Sequence, residues 1–463
     1  MSLIKSISGI RGTIGGMQGD NLTPLDIVKF TAAYATLLKQ TSGQEKIKVI
    51  VGRDARVSGL MVNKIVCGTL MSMGVDVYDI GLSTTPTTEM EVRAQHAHGG
   101  LILTASHNPM HWNALKLLNS EGEFFSAAMG QEVLRIAENM DAVSFVSIEQ
   151  LGAYHQIHDA IDRHIQAVLN LPLVNVEAIK NARLKVAIDC VNSTGSLALP
   201  KLLKTLGAEE IHQLNCTPDG LFPHNPEPLP ENLTDTCNYI KNKNIDLGFV
   251  VDPDVDRLAI IKENGECFGE EYTLVSIADY VLGCTPGNTV SNLSSTQALK
   301  IITQKHNGTY HAAAVGEVNV VEKMKECHAV IGGEGNGGVI YPDLHYGRDA
   351  LVGIALFLTA IATKKMTCSQ YRSTFPDFYI HKDKIQLTPD INVDQVLKNI
   401  KQLYHQYNII DIDGVKILFD NEWVHLRKSN TEPIIRIYAE SINEATAKNM
   451  ADRIKKDILN CIG

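Results

Sequence analysis

Layered α/β domains with largely parallel strands, closed by a separate α+β domain, are what this sequence predicts, on three observations. Short β-branched runs recur along most of the chain, each followed by a polar or glycine-bearing loop and then by residues with helical apolar spacing. From about residue 375 the pattern changes to strand-like runs that succeed one another across short turns, the habit of antiparallel pairing. Finally, 463 residues suffice for roughly three or four domains of about 100 to 200 residues each.

The strand candidates are IKVIV (47–51), VDVYDI (75–80), GGLILT (99–104), LKVAIDC (184–190), IDLGFVV (245–251) and HAVIGG (328–333). HDAIDRHIQAVL (158–169) has the spacing of an amphipathic helix and opens a second block. The closing block holds KILF, EWVHLR, a turn at KSNTE, PIIRIYAE and a helix around NEATAKNMADRIKKDIL. Domains are expected over 1–152, 153–254, 255–370 and 371–463. In such folds functional loops sit at the carboxyl ends of strands. No strict internal repeat and no low-complexity tract is present.

A net charge of −10 argues against a nucleic-acid or anionic-membrane surface, while leaving room for basic loops that receive a small anion. The nine cysteines are scattered and contain no CxxC pair, so neither a disulfide framework nor a zinc cluster is indicated, and a reduced cytoplasmic setting is expected. MSLIKSISGIRG lacks the apolar core of a signal peptide. The most apolar run, ALVGIALFLTAIA (350–362), is too short to span a bilayer and reads as a buried helix.

Five loops carry possible chemistry. LTASHNPMHWNALK (103–116) sets Ser106 beside His107 as an apolar strand gives way to a loop, where a plain Asn-Pro turn is the competing reading. VVDPDVDRLAII (250–261) spaces Asp252, Asp254 and Asp256 directly after a strand. Three carboxylates in one small volume repel strongly unless a divalent cation joins them. The stretch resembles the start of an EF-hand, with Glu263 at its twelfth position, but Arg257 stands where that loop requires glycine. LRKSNTEPIIRIY (426–438) offers Arg427, Ser429, Asn430, Thr431 and Arg436, which suit a phosphate dianion. GGEGNGGVIYPD (332–343) projects Glu334 and Asn336 from a glycine-rich turn with no Walker lysine, as a sugar-hydroxyl site would. SGIRGTIGG (8–16) presents Arg11 among glycines. Taken singly, the last three are ordinary turns as readily as sites.

These loops come from every block of the chain and make sense together if four domains meet on one site. With TASHNP and DPDVDR in that order and separation, the chain resembles the α-D-phosphohexomutases, that is phosphoglucomutases, phosphomannomutases and phosphoglucosamine mutases, over nearly its whole length. The resemblance implies three related α/β domains with mixed sheets and a C-terminal α+β domain around a central cleft. It implies that Ser106 carries the phosphoryl group and is a ligand, with Asp252, Asp254 and Asp256, of one Mg2+ per active site. His107 would assist, Lys116 would move the proton at the sugar hydroxyl, and Arg11 would stabilise the transferring group. Arg257 would face the substrate, Glu334 and Asn336 would read sugar hydroxyls, and Arg427, Ser429, Asn430, Thr431 and Arg436 would clamp the phosphate not being transferred. A hexose 1,6-bisphosphate would serve as intermediate and activator, and the protein would be a monomer or homodimer whose partner is a phosphosugar.

The sequence departs from the family pattern at Ala114 after Asn113, at Gly337-Gly338 where Gly-His is common, at Asn336 where serine is common, and in VGEVNV (315–320), which lacks a basic residue. These changes bear on sugar choice. The pattern is most similar to the phosphoglucosamine mutase branch, with glucosamine 6- and 1-phosphate as the pair interconverted. A phosphoglucomutase/phosphomannomutase is the alternative, and a non-catalytic sugar-phosphate binder a third reading that Ser106, Lys116 and Arg11 disfavour.

Overall fold

The computed structural model describes residues 2–6, 9–388, 391–428 and 434–462. They fall into two compact units, Met1–Thr273 with Asn336–Tyr371, and Leu274–Gly335 with Arg372–Gly463.

In the first unit, a seven-stranded mixed sheet runs in the order Ile4–Ser6, Gly9–Thr13, Trp112–Leu118, Gly99–Leu103, Ile47–Arg53, Val75–Leu82, Tyr154–Gln156. The last four of these are parallel to one another, and the first three join antiparallel. Strands Ile47–Arg53 and Gly99–Leu103 are almost wholly buried, which is why they read as continuous apolar runs rather than alternating ones. Helix Pro24–Ser42 packs its apolar face on this sheet and opens with a capping box between Thr23 and Asp26. A second, four-stranded sheet is ordered Leu258–Lys262, Leu247–Val251, Lys185–Asp189, Glu210–Leu214, with only the first pair antiparallel.

Helix Ala350–Lys364 of the same unit is the buried apolar helix that the sequence announces. Asp349 caps it by accepting from the N–H groups of Leu351 and Val352, and Phe357 lies edge-on to Phe249 and Phe268 at ring separations of 6.2 and 5.3 Å. Beneath its first turn the other Asp349 oxygen meets two imidazoles, His164 Nε2 at 2.9 Å and His345 Nε2 at 3.3 Å, while Thr87 Oγ1 lies 2.8 Å from His164 Nδ1. That polar junction ties helices Thr85–Ala94, Ala160–Leu169 and Ala350–Lys364 together. Among the described residues, no helix is long and apolar enough to cross a membrane.

In the second unit, strands Tyr310–Ala313, Asn288–Asn292 and Ala329–Glu334 are parallel neighbours in that order. A five-stranded antiparallel sheet follows, ordered Tyr379–Gln386, Ile434–Ser441, Trp423–Lys428, Val415–Leu418, Asn408–Ile410. Helices Val393–Leu403 and Glu444–Ile462 accompany this sheet, and residues of both contribute to one apolar core with it. The α+β character expected for the last block is therefore what the chain adopts.

Candidate active site

Strand Gly99–Leu103 ends where Thr104 begins a tightly held loop. The Thr104 hydroxyl donates to Asp54 Oδ2 at 2.7 Å and accepts from the Ser106 N–H at 2.9 Å. Ser106 itself sits at φ +49°, in the left-handed region that costs a non-glycine residue about 1–2 kcal/mol. The loop is kept there by Arg56, which is 1% exposed. Its guanidinium reaches the carbonyl oxygens of Ser106 (2.5 Å), Asn108 (2.7 Å), Pro109 (2.6 Å) and Trp112 (3.0 Å), while Nε pairs with Asp54 at 2.9 Å. One planar fork thus fixes four carbonyl acceptors between residues 106 and 112, a task lysine cannot perform.

The carboxylate loop leaves the parallel neighbour sheet in the same manner, after the fully buried strand Leu247–Val251. Val255 adopts φ +64°, rare for a β-branched residue and a sign of local strain. Supports come from all sides. Ser193 and Thr194 hydroxyls donate to the Pro253 carbonyl at 2.6 and 2.9 Å, and the N–H groups of Asp256 and Arg257 both reach Asp252 Oδ1 at 3.2 Å. Thr85 donates its backbone N–H to the Asp254 carbonyl and its hydroxyl to Asp254 Oδ2, at 2.8 and 2.6 Å.

Asp252, Asp254 and Asp256 are each 0% exposed, and one oxygen from each lies within 4.8 Å of the other two. Lys116 Nζ stands 2.7 Å from Asp254 and 3.5 Å from Asp256, and Arg348 donates to Asp256 at 2.7 Å. These two cations do not satisfy the triad: Asp254 Oδ1 and Asp256 Oδ1 are buried without a hydrogen-bond partner. Burial and the repulsion of Asp256 and Asp254 push the Asp252 carboxyl well up. Asp254 shows the opposite balance: burial would raise it, but Lys116 holds it down. Burial would likewise lower the Lys116 ammonium, and Asp254 with Asp256 outweighs it and keeps Lys116 charged. Buried, like-charged and partly orphaned oxygens are the donor set that a hard divalent cation requires.

Ser106 Oγ donates to Asp252 Oδ2 at 2.7 Å, so the serine and the triad form one site although 146 residues separate them. His107 Nδ1 lies 3.4 Å from the same hydroxyl. Burial, then the charges of Arg257 and Arg11, press the His107 imidazole down to about 2, so it is neutral at ordinary pH. Arg11, on strand Gly9–Thr13, is lowered from its usual value by burial and then by Arg257. Arg11, Arg257 and Arg348 therefore act on one imidazole, a cationic wall beside an anionic triad. Glu227 partly answers that wall, 3.2 Å from Arg257 Nη1 and 3.9 Å from His107 Nε2.

The remaining sequence candidates make their own local contacts. In the second unit Glu334 ends its parallel strand, and its Oε1 accepts from Asn292 Nδ2 at 2.8 Å and from the Gly316 N–H at 3.3 Å. Asn336, in the first unit, accepts from the Gly338 N–H at 3.2 Å and closes a turn. Arg427 and Arg436 are directly opposite on neighbouring antiparallel strands, a pairing of like charges that is destabilising by itself, and Arg427 Nε lies 3.4 Å from Asp413. Ser429, Asn430 and Thr431 lie outside the described residues.

Asp54, Arg56, Thr85, Ser193, Thr194, Glu227 and Arg348 were not singled out by sequence reasoning. The available signal was GRDAR (52–56), an Asp-x-Arg loop leaving the carboxyl end of strand Ile47–Arg53 as the other site loops leave theirs.

Four family models match the chain in succession. They are the phosphoglucomutase/phosphomannomutase α/β/α domain I over residues 3–144, domain II over 162–265, domain III over 269–379 and the C-terminal domain over 384–457. The chain belongs to the α-D-phosphohexomutase family. It is accordingly an intramolecular phosphotransferase of the isomerase class.

Among relatives of this phosphohexomutase, a phosphoglucomutase/phosphomannomutase of Thermococcus kodakarensis is 36% identical, covering 94% of this chain and 95% of the relative. A phosphoglucosamine/phosphogalactosamine mutase of Sulfurisphaera tokodaii is 32% identical, with 98% and 99% covered. A solved phosphoglucomutase/phosphomannomutase family protein from Burkholderia thailandensis shares the fold at TM-score 0.85 and 23% identity, with 99% and 98% covered. An Aspergillus fumigatus N-acetylphosphoglucosamine mutase, solved with GlcNAc-6P and magnesium, matches at TM-score 0.58 and 14% identity, with 94% and 97% covered.

Proposed function

We propose that this phosphohexomutase is a phosphoglucosamine mutase that interconverts glucosamine 6-phosphate and glucosamine 1-phosphate through a phosphoryl group carried on Ser106. The observation that supports it most is the Ser106 hydroxyl, 2.7 Å from Asp252 within a buried triad that keeps two carboxylate oxygens without a hydrogen bond. Those oxygens fit Mg2+, held by Asp252, Asp254, Asp256 and Ser106. When bound, Mg2+ would offset the charge of the phosphoryl group in transfer.

The remaining work falls to the chain's own groups. Arg56 presents Ser106 at a fixed backbone geometry, so the carrier oxygen needs little reorganisation. Arg11 and Arg257 offer guanidiniums to the transferring phosphoryl oxygens, and neutral His107 gives a polar contact at Ser106 Oγ without adding charge. Lys116 is held as a cation by Asp254 and Asp256. Once those carboxylates are engaged elsewhere, its Nζ can give and take the proton of the sugar hydroxyl. Glu334 and Asn336 would read sugar hydroxyls, and Arg427, Ser429, Asn430, Thr431 and Arg436 would hold the second phosphate. A single carrier serine serves both ends of the sugar, so a 1,6-bisphosphate must turn over between the two half-reactions.

Phosphopeptide mapping should find phosphate on Ser106 in the purified protein, and dephosphorylated enzyme should idle until a catalytic amount of hexose 1,6-bisphosphate is added. Ser106→Ala should lose essentially all turnover while still binding sugar phosphate. An alanine variant that still interconverts the 6- and 1-phosphates overturns the mechanism. The glucose and mannose phosphates are the second reading, favoured by the 36% identity to the T. kodakarensis phosphoglucomutase/phosphomannomutase. Turnover measured side by side on glucosamine, N-acetylglucosamine, glucose and mannose phosphates decides between them.

A further inference from the structure

Two cysteines that the mutase reading does not use stand close together in the first unit. Cys237 lies on helix Thr234–Asn242, and Cys267 follows strand Leu258–Lys262, bridged to Ile261. Their sulfurs are 3.9 Å apart, and neither residue is buried from solvent. The turn between them is pressed onto the helix: a Cβ added to Gly265 would lie 2.6 Å from the Cys237 carbonyl oxygen. Backbone packing therefore holds the two cysteines as neighbours.

We propose that Cys237 and Cys267 form a thiol–disulfide exchange site that takes a low-molecular-weight disulfide, such as oxidised glutathione. The Cys237 thiolate attacks one sulfur of the disulfide, forming a mixed disulfide and releasing one thiolate. Cys267, deprotonated to solvent, attacks the Cys237 sulfur and displaces the second thiolate. The two cysteines lose two electrons and two protons, and the small disulfide is reduced to two thiols. Closing the bond to about 2.05 Å needs the sulfurs to approach by roughly 2 Å, within the reach of a side-chain rotation.

The order of attack follows from the pair's chemistry. The hydrogen bond between the two thiols favours the thiolate at Cys237, whose pKa is lowered, and disfavours it at Cys267. Cys190 and Cys216 also interact, but Cys190 is wholly buried and out of reach of an oxidant. The resulting ring, from 237 to 267, encloses strand Leu247–Val251 and the whole Asp252–Arg257 loop. Oxidation would tie helix Thr234–Asn242 covalently to the segment that follows strand Leu258–Lys262, closing a ring around the carboxylate loop without touching a ligand.

The test is incubation of the native protein with oxidised glutathione, quenching by alkylation, and peptide mapping by mass. The expected product is a Cys237–Cys267 linked peptide that dithiothreitol reverses. Cys267→Ser should instead accumulate glutathione on Cys237, and Cys237→Ser should slow modification at Cys267 at least tenfold. Both variants should keep basal mutase turnover. Modification confined to the exposed Cys284, absence of any linked peptide, or a Cys267→Ser protein that gains no adduct at Cys237 overturns the proposal.

Discussion

The loop that carries Ser106 and the loop that carries the three aspartates leave their sheets alike, yet they are stabilised by opposite means. Each follows a wholly buried strand and contains one non-glycine residue at positive φ, Ser106 at +49° and Val255 at +64°. The serine loop has its backbone answered by charge: the Arg56 fork reaches four carbonyls, and Asp54 balances Arg56. The aspartate loop has its backbone secured by Ser193, Thr194 and Thr85 but keeps two buried carboxylate oxygens without a hydrogen bond. One loop is preorganised to present an atom, and the other is preorganised to receive an ion.

The sharpest break of that contrast is at Arg56. Removing it strands Asp54 in a buried site, and breaking a buried pair this way costs about 3–5 kcal/mol. Arg56→Ala should therefore lower the unfolding midpoint and remove most turnover. Arg56→Lys separates the two effects, since it keeps the charge beside Asp54 but cannot span four carbonyls. Its kcat should fall by about a hundredfold, the scale of a roughly 1 Å misplacement, with a smaller loss of stability. An Arg56→Lys enzyme with ordinary kcat would show that the fork is dispensable.

At the aspartate loop the unbonded carboxylate oxygens should make stability respond to cation. Mg2+ at a hundred times its Kd adds about 2.7 kcal/mol to the form that binds it. The wild-type melting temperature should rise with Mg2+. Asp254→Asn should show a much smaller rise and should lose turnover even with Mg2+ in excess. Near-normal turnover in that variant would sink the assignment of the triad as the metal site.

How far the sequence spoke follows the same division. The apolar strands, the buried helix Ala350–Lys364 and the antiparallel last block were legible because burial dictates composition, and composition survives in one dimension. The aspartate triad was legible because its three carboxylates are local, at alternate positions. Arg56 was not: its acceptors are backbone carbonyls 50 to 56 residues away, and a carbonyl carries no residue identity. Nor was the meeting of Ser106 with Asp252 across 146 residues readable from spacing, which is why a family resemblance was needed to join them. His164 sat unremarked in a helix pattern, although it meets Asp349 across 185 residues.

The second unit extends the contrast more gently. Arg427 and Arg436 oppose each other as like charges, a cationic counterpart of the aspartate cluster, with Asp413 3.4 Å from Arg427 Nε. Losing one charge-assisted hydrogen bond costs about 1.5–3 kcal/mol. Arg427→Ala should raise KM for the sugar phosphate about ten- to a hundredfold with a smaller fall in kcat, because the phosphate it would hold does not react. An unchanged KM rules that role out.

The smallest expected effect compares Asp54 with Asp189, which ends the strand Lys185–Asp189 of the second sheet as Asp54 follows its own strand in the first. Each accepts from a threonine hydroxyl, Thr104 and Thr236 respectively. Asp54 is paired with the Arg56 guanidinium at 2.9 Å, whereas Asp189 is paired with the His224 imidazole at 3.2 Å. Burial would raise the Asp189 carboxyl, but the hydrogen bond and charge of His224 bring it below its ordinary value. Burial would lower His224, but Asp189 holds it above. The raised imidazole contributes stability below its unfolded pKa and loses it as pH rises through the folded one. The depressed carboxylate contributes above its unfolded pKa and loses it as pH falls. The pair is therefore worth most between the ordinary carboxylate and imidazole ranges. His224→Asn should lower the melting temperature at about pH 5.5 and much less at about pH 9, where the wild-type imidazole is already neutral. An equal loss at both values would mean that His224 acts through packing and its 2.8 Å contact with the Asn225 carbonyl rather than through its charge.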